Sequence, residues 1–400
     1  MQNKTFGSAL IVAGTTIGAG MLTMPFASAQ MGFGYTLVLL FALWVLLSYS
    51  ALLFVEVYQK AERQDAGIAT LAEQHFGMIG RVVSTLTLII FMYAILTFYA
   101  GWGSDTLPIQ FLSNNKDISI ILFVIIFGGA VSISTTTVDG FTRVLFILKL
   151  ITFVFVLFMM LPKVTIENLR AMPLQYLLII SASNVFFTSF GFHVVIPSIN
   201  SYLDGDVKRL RIAIIGGTAI PLVAYILWQM ATHGVFNQMQ FVEIIRQDPT
   251  LNGLVAATYQ ATGSKWLSNA MFLFSALALI TSFLGVSLAL IDCLDDLFKR
   301  VNIAANRISI SLLTFVPVLA LTLFYRNEFL SVLAFAGQMF TFYGLVLPVA
   351  MAWRLRQKHP DLPYRVMGGN LGLLVALVLG LIIMFVPNLI EAGLLPKVVG

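Results

Sequence analysis

Gly14-Thr15-Thr16-Ile17-Gly18-Ala19-Gly20-Met21, with Pro25 four residues further on, lies inside a stretch, residues 5–55, that carries no Asp, Glu, Lys or Arg. A helix that crosses a bilayer needs about 20 apolar residues, so this stretch holds two spans. Their turn is expected near Gly32-Phe33-Gly34. Three glycines within seven residues, followed by a proline, are a poor choice for a regular helix. The first span is therefore expected to break at this motif.

The composition says what surrounds the break. Of 400 residues only 23 are Lys or Arg and 18 are Asp or Glu, so 10% are charged, while 59% are hydrophobic. Soluble domains carry about 25% charged residues, and the mean hydropathy here is +0.93. A water-soluble globule, a disordered chain and a nucleic-acid-binding domain are all excluded by this balance, even though the net charge is +5. A single cysteine, Cys293, cannot form an intramolecular disulfide. The first apolar run far exceeds the 7–15 residues of a signal peptide core and is expected to be retained.

Further continuous apolar runs cover residues 82–104, 118–138, 144–162, 171–203, 212–242, 266–291, 308–325, 329–353 and 366–390. With two spans in the first stretch, the expectation is an all-α integral membrane protein of eleven transmembrane helices. The gap at 232–267 reads as a surface loop. β-Barrel strands would alternate instead. If the N-terminus is cytoplasmic, sixteen of the 23 basic residues fall on the inner side and seven on the outer, among the latter Lys116, Lys163 and Arg326. That bias orients the chain with the N-terminus inside and, for an odd number of spans, the C-terminus outside.

The sixth run repeats the anomaly of the first: Thr188-Ser189-Phe190-Gly191-Phe192-His193, then Pro197. Spans one and six are corresponding members of two five-helix halves, and an odd number of spans inverts one half relative to the other. Paired interruptions in inverted repeats mark the midplane site of a secondary transporter. The expected architecture is a five-plus-five inverted repeat, about 5–162 and 171–353, with an accessory helix at about 366–391. Unwound backbone at membrane depth must line a cavity. The half-helix that begins near Gly20 offers N–H groups and a positive dipole end to a carboxylate. Carbonyls where the half-helices end near Thr15 and Ser189 suit an ammonium. The layout fits an amino acid, and with no phosphate-loop motif in the chain the driving energy must come from an ion gradient.

The segments Val12-Ala13-Gly14-Thr15-Thr16-Ile17-Gly18-Ala19-Gly20-Met21-Leu22 and Phe187-Thr188-Ser189-Phe190-Gly191-Phe192-His193 resemble the signatures of the hydroxy and aromatic amino acid permease family. Gly217-Thr218-Ala219-Ile220-Pro221-Leu222-Val223-Ala224-Tyr225-Ile226 and Glu391-Ala392-Gly393-Leu394-Leu395-Pro396 extend that resemblance over essentially the whole chain. It implies the five-plus-five fold of amino acid–polyamine–organocation transporters. It also implies proton-driven uptake of an aromatic amino acid, tyrosine first, across a bacterial inner membrane, with no cofactor, metal or nucleic-acid partner.

Substrate contacts are expected from Gly14, Thr15, Thr16, Ile17, Gly18, Ala19 and Gly20 in span one and from Ser189, Phe190, Gly191, Phe192 and His193 in span six. Tyr93 in span three and Phe283 in span eight are expected to wall the ring site. Proton coupling falls to Lys149 or His193. Residues 144–162 are apolar except for Lys149, and intramembrane ionisable groups are costly. Lys149 could equally snorkel to the interface, and His193 could equally be a neutral ring that satisfies exposed carbonyls. Thr281 and Ser282 could ligate sodium or bond their own helix. Glu56, Asp292, Asp295 and Asp296 read as interface charges or gate partners, and Asn184, Gln338 and Tyr343 as partners for a phenol. His75, His233 and His359 read as residues in or near loops, without metal-ligand spacing. The alternatives are a permease for tryptophan or another neutral amino acid, sodium coupling, an intramembrane enzyme, which would need clustered catalytic groups inside the spans, or a channel, which would need a polar pore lining.

Overall fold

The computed structural model describes residues 4–107, 115–133, 135–300, 302–326 and 328–398, and every regular element among them is helical. The elements that matter for the site are α1 (Lys4–Thr16) and α2 (Gly20–Ser28), α3 (Phe33–Tyr58), α4 (Ile68–Gly103), α5 (Lys116–Ile133) and α6 (Thr135–Met160). They continue with α7 (Ser183–Ser189), α8 (Ile196–Tyr202), α9 (Val207–Val235), α10 (Gln238–Gln247), α11 (Leu251–Thr262) and α12 (Lys265–Arg300). The chain ends with α13 (Arg307–Phe324), α14 (Phe329–Lys358) and α15 (Gly369–Glu391). Ten helices among the described residues are long and apolar enough to cross a membrane, and the bent pair α1–α2 makes an eleventh span. Residue 134, inside the fourth expected span, lies outside the described residues.

The turn expected at Gly32-Phe33-Gly34 is present and has a steric cause. Gly32 has φ 76°, and a Cβ on it would run into the Ala171 carbonyl. Elsewhere the boundaries move. α4 begins well before residue 82 because Gly77, at φ 67°, lets the helix kink instead of ending. The expected loop at 232–267 contains α10 and α11. Asn237 caps the first through the amides of Met239 and Gln240, and Thr250 caps the second through Asn252. Gly263 closes α11 at φ 64°. These caps are visible in the sequence, but short interfacial helices fall below a hydropathy reading tuned to full spans.

Packing divides the bundle. α1 runs along α9, α9 along α3, and α7 against α2 and α14. A separate buried cluster joins α4, α5, α12 and α13 through Leu96, Phe123, Phe283, Leu284 and Val318. The main pairings recur five spans apart. Span three (α4) packs on span ten (α14), and span eight (α12) on span five (α6); likewise span one packs on seven, and six on two. The two interrupted spans meet at the centre of this arrangement.

Candidate functional site

Both breaks fall within the glycine-containing motifs. α1 stops at Thr16 and α2 starts at Gly20, bent by 54°. α7 stops at Ser189, residues 190–192 are not helical, and one 3-10 turn, His193–Val195, leads into α8 with Pro197 in its first turn. A proline there sacrifices an amide that has no intrahelical partner in any case.

Interrupting a helix strands carbonyls, and here side chains from other spans take them up. The Lys149 ammonium on α6 donates to the Ile17 carbonyl at 2.9 Å. The Tyr225 hydroxyl on α9 lies 2.7 Å from the carbonyl oxygens of both Thr16 and Ser189. One hydroxyl proton serves one strong bond at a time, so Tyr225 is shared between the C-terminal ends of α1 and α7. Pro25 has no N–H to return to Met21, and the Met21 carbonyl instead accepts the Trp228 indole N–H at 3.0 Å. On the amide side, Ala19 N–H donates to Ser282 Oγ at 3.1 Å. The Ser189 hydroxyl donates to the Gly20 carbonyl. The crossings are tight: a Cβ at Gly20 would stand 3.0 Å from the Ser189 Cα, and one at Gly18 would stand 3.1 Å from Ser282 Oγ, so either neighbour would have to give by a few tenths of an ångström.

Aromatic rings enclose the other side. Phe190 meets Tyr225 edge-on, with centroids 4.9 Å apart. Phe192 lies against His193 at 4.6 Å, and the His193 ring contacts Phe54 and Phe340. His193 is fully buried, and neither ring nitrogen has a hydrogen-bond partner in the structure. The option that His193 satisfies loose carbonyls is therefore not realised.

The structure thus gathers Thr16, Ile17, Gly18, Ala19, Gly20, Ser189, Phe190 and Lys149 around one point, with Gly191, Phe192 and His193 adjoining. It separates others. Thr15 is exposed and bonds its own helix at Ile11, and Gly14 faces Phe146 of α6. Tyr93 and Phe283 do not wall the breaks. Tyr93 reaches the Leu313 carbonyl on α13, and Phe283 packs on Phe123 and Phe315. Both turn into the α4–α5–α12–α13 cluster. Tyr99, six residues on and so on another face of the helix, is the residue that lies beside Ser282 and near Tyr225. Thr281 bonds back to Leu277, while Ser282 serves Ala19. Gln338 is held by Asn388, Asn184 by the Ile383 carbonyl, and Tyr343 by the rings of Phe91 and Phe340.

Lys149 is 3% exposed, and its ammonium also lies 4.5 Å from the Phe146 ring. It points at the break and does not snorkel. His75 and His233, expected in or near loops, lie within α4 and α9, His75 buried and His233 half-buried, where His233 meets Ser28 at 2.9 Å. Glu56, read as an interface charge or a gate partner, is fully buried and forms an ion pair with Arg356 through two contacts of 2.6 and 2.8 Å. Asp295 and Asp296 instead make exposed pairs with Lys299 and Arg300. Among the described residues no three His, Cys, Asp or Glu side chains converge as metal ligands would.

Comparison with known proteins gives the family. The profile of the tryptophan/tyrosine permease family matches residues 1–387. The chain is 54% identical over 405 residues to Tyrosine-specific transport system 2 of Haemophilus influenzae and 56% identical over 404 residues to Tyrosine-specific transport system 1 of the same organism, with 100% of both chains covered in each case. Among solved structures, a manganese transporter of Eremococcus coleocola superposes with a TM-score of 0.64 at 14% identity, over 97% of this chain and 86% of that one. At that identity the likeness speaks for the fold alone. Matched over residues 1–387 and with eleven candidate spans among the described residues, counting the bent pair as one, the chain is a multi-pass membrane protein of the tryptophan/tyrosine permease family.

Proposed function

We propose that the chain is a secondary transporter that takes up an aromatic amino acid, L-tyrosine first, together with a proton across a bacterial inner membrane, with its N-terminus cytoplasmic. The full-length identity to two tyrosine-specific transport systems supports the substrate, and the basic-residue bias supports the orientation. The observation that carries the coupling is the buried Lys149 ammonium on the Ile17 carbonyl. A charged amine with no carboxylate partner among the described residues is costly in an apolar interior, and its hydrogen bond to the break is charge-assisted only while the amine is protonated. Loss of a proton loosens that bond and frees the break to change shape.

The substrate carboxylate is then met by the positive dipole end of α2 at Gly20, where the Met21 and Leu22 amides reach only the Gly18 and Ala19 carbonyls, at 3.3 and 3.0 Å. The ammonium is met by the Thr16 and Ser189 carbonyls that Tyr225 now bridges. Rings of Phe190, Phe192 and Tyr99 enclose the side chain, with Gly18 and Gly191 leaving room for the backbone. Pairings that recur five spans apart support two inverted halves, about 5–162 and 171–353, with α15 as an accessory helix. Alternating access moves the two interrupted spans, one from each half, against the rest. Everted and right-side-out vesicles containing the protein test this directly. Labelled tyrosine should accumulate on an imposed pH gradient and not on a sodium gradient. Accumulation on sodium alone overturns the coupling, and no uptake on either overturns the substrate.

A further inference from the structure

At the end of the bundle that carries the Glu56–Arg356 pair, α4 enters through the kink at Gly77, which turns its first turns beneath the end of α14. The geometry leaves a groove of about 540 Å³ lined by Phe76, Val349, Trp353, Arg354, Gln357 and Leu377. Its lower wall, Val349 and Leu377, is apolar and continues into the exposed face of α15 at Leu374, Val375 and Val378. Its mouth is polar. The Arg354 guanidinium lies over the Phe76 ring at 5.4 Å, and among the described residues no carboxylate pairs with it, unlike Arg356 one position from Gln357, which Glu56 neutralises. Trp353 is 37% exposed. Lys358 and His359 stand nearby, and the nearest acid on α4, Glu73, is paired with Arg81 at 2.6 Å.

We infer that this groove is a binding site for one anionic phospholipid. Its phosphate takes the Arg354 guanidinium, and its acyl chains descend along Leu377 and α15. The occupant follows from the two-part chemistry of the groove. A cation and an indole N–H at the end of a span, above an apolar wall that is open to the side, match a headgroup above a chain. A free phosphate would leave the wall uncovered. Basic clefts between helices at the membrane surface recognise anionic headgroups in this way, at roughly 1 kcal/mol per basic residue. Because the groove is made jointly by α4, α14 and α15, the lipid ties the accessory helix to the span that frames the break.

The test uses purified full-length protein reconstituted in nanodiscs of phosphatidylcholine, with and without phosphatidylglycerol, and native mass spectrometry of the lipid retained after release into detergent. The wild type should retain phosphatidylglycerol in preference to phosphatidylcholine. R354Q should lower that preference about five-fold, the factor expected for one lost basic residue, and Q357E should lower it by like charge. Both positions are exposed on a helix end, so the variants fold. Equal retention by the wild type and both variants overturns the site. So does protection of the wild type by inorganic phosphate to the same extent as by phosphatidylglycerol, and so does a dimer whose cross-links at position 354 show that a second copy fills the groove.

Discussion

Ser189 Oγ lies 2.8 Å from the Gly20 carbonyl oxygen and 2.9 Å from that of Val185 in its own helix, so its one proton, when given to Gly20, ties the last residue of α7 to the first residue of α2. The end of one half-helix thus sits against the start of the other, so closely that a Cβ at position 20 would stand 3.0 Å from the Ser189 Cα. Any change in one break is felt at once by the second. This contact makes the two interruptions a single site.

Gly18→Leu should abolish tyrosine binding, because its side chain would fill the space beside the unwound backbone, where even a Cβ stands 3.1 Å from Ser282 Oγ. Gly20→Ala should separate α2 from α7 and lower thermal stability by several degrees, as overpacking of about 1–3 kcal/mol does. Ligand-dependent thermal shifts measure both. A full tyrosine-induced shift in Gly18→Leu would place the substrate elsewhere.

Tyr225→Phe keeps the ring on Phe190 and removes only the hydroxyl. Two buried carbonyls, those of Thr16 and Ser189, then lose their shared donor, at a cost of about 1–3 kcal/mol. The variant should melt lower and bind tyrosine more weakly, and saturating substrate should restore part of the stability, since its ammonium can replace the lost donor. Melting temperatures with and without tyrosine check this. An unchanged wild-type melting profile would show that the bridge contributes nothing.

Lys149→Gln should abolish accumulation on a pH gradient while exchange of internal for external tyrosine survives in part, because exchange requires the site to open and close without net proton movement. Counterflow and gradient-driven uptake in the same vesicles separate the two. Normal accumulation by the glutamine variant would remove Lys149 from the coupling.

The breaks were legible in the sequence because glycine and proline act locally: Gly14–Gly20 and Gly191 disfavour helix whatever surrounds them. Their partners were not. Tyr225 lies in a stretch that carries the family resemblance, but neither its surroundings nor those of Trp228 say what the side chain holds; each acquires its role only when α9 packs against α1 and α2. Which aromatic residue of span three faces the breaks was not legible either, because a span that is apolar all round has no face readable from hydropathy. Glu56 looked like an interface charge because the residue that makes its burial tolerable, Arg356, lies 300 positions away.

His193 offers two buried ring nitrogens without partners, in a cage of Phe54, Phe192 and Phe340. Replacing such a group by an apolar ring of similar size removes an unmet desolvation penalty of about 1–3 kcal/mol. His193→Phe should therefore leave the substrate-free protein as stable as the wild type or more so. Tyrosine uptake should fall more than phenylalanine uptake, since only tyrosine brings a hydroxyl that an imidazole could meet. Thermal melts and competition between the two amino acids check it. Equal losses for both would confine His193 to packing.

The Glu56–Arg356 pair is the most deeply buried ion pair described, with side chains 0% and 5% exposed. Glu56 also accepts the Val366 amide, and Arg356 donates to the Gly369 carbonyl, so the pair fastens α3 and α14 to the entry of α15. Removing one partner leaves a buried charge uncompensated, which costs about 3–5 kcal/mol, whereas replacing both by apolar residues often costs little. Glu56→Leu and Arg356→Met alone should each reduce folded protein in the membrane sharply, and the double variant should recover much of it. If the double variant also retains gradient-driven uptake, the pair holds α15 in place and takes no part in proton movement. If it folds and melts normally but no longer accumulates substrate, Glu56 belongs to the proton path beside Lys149.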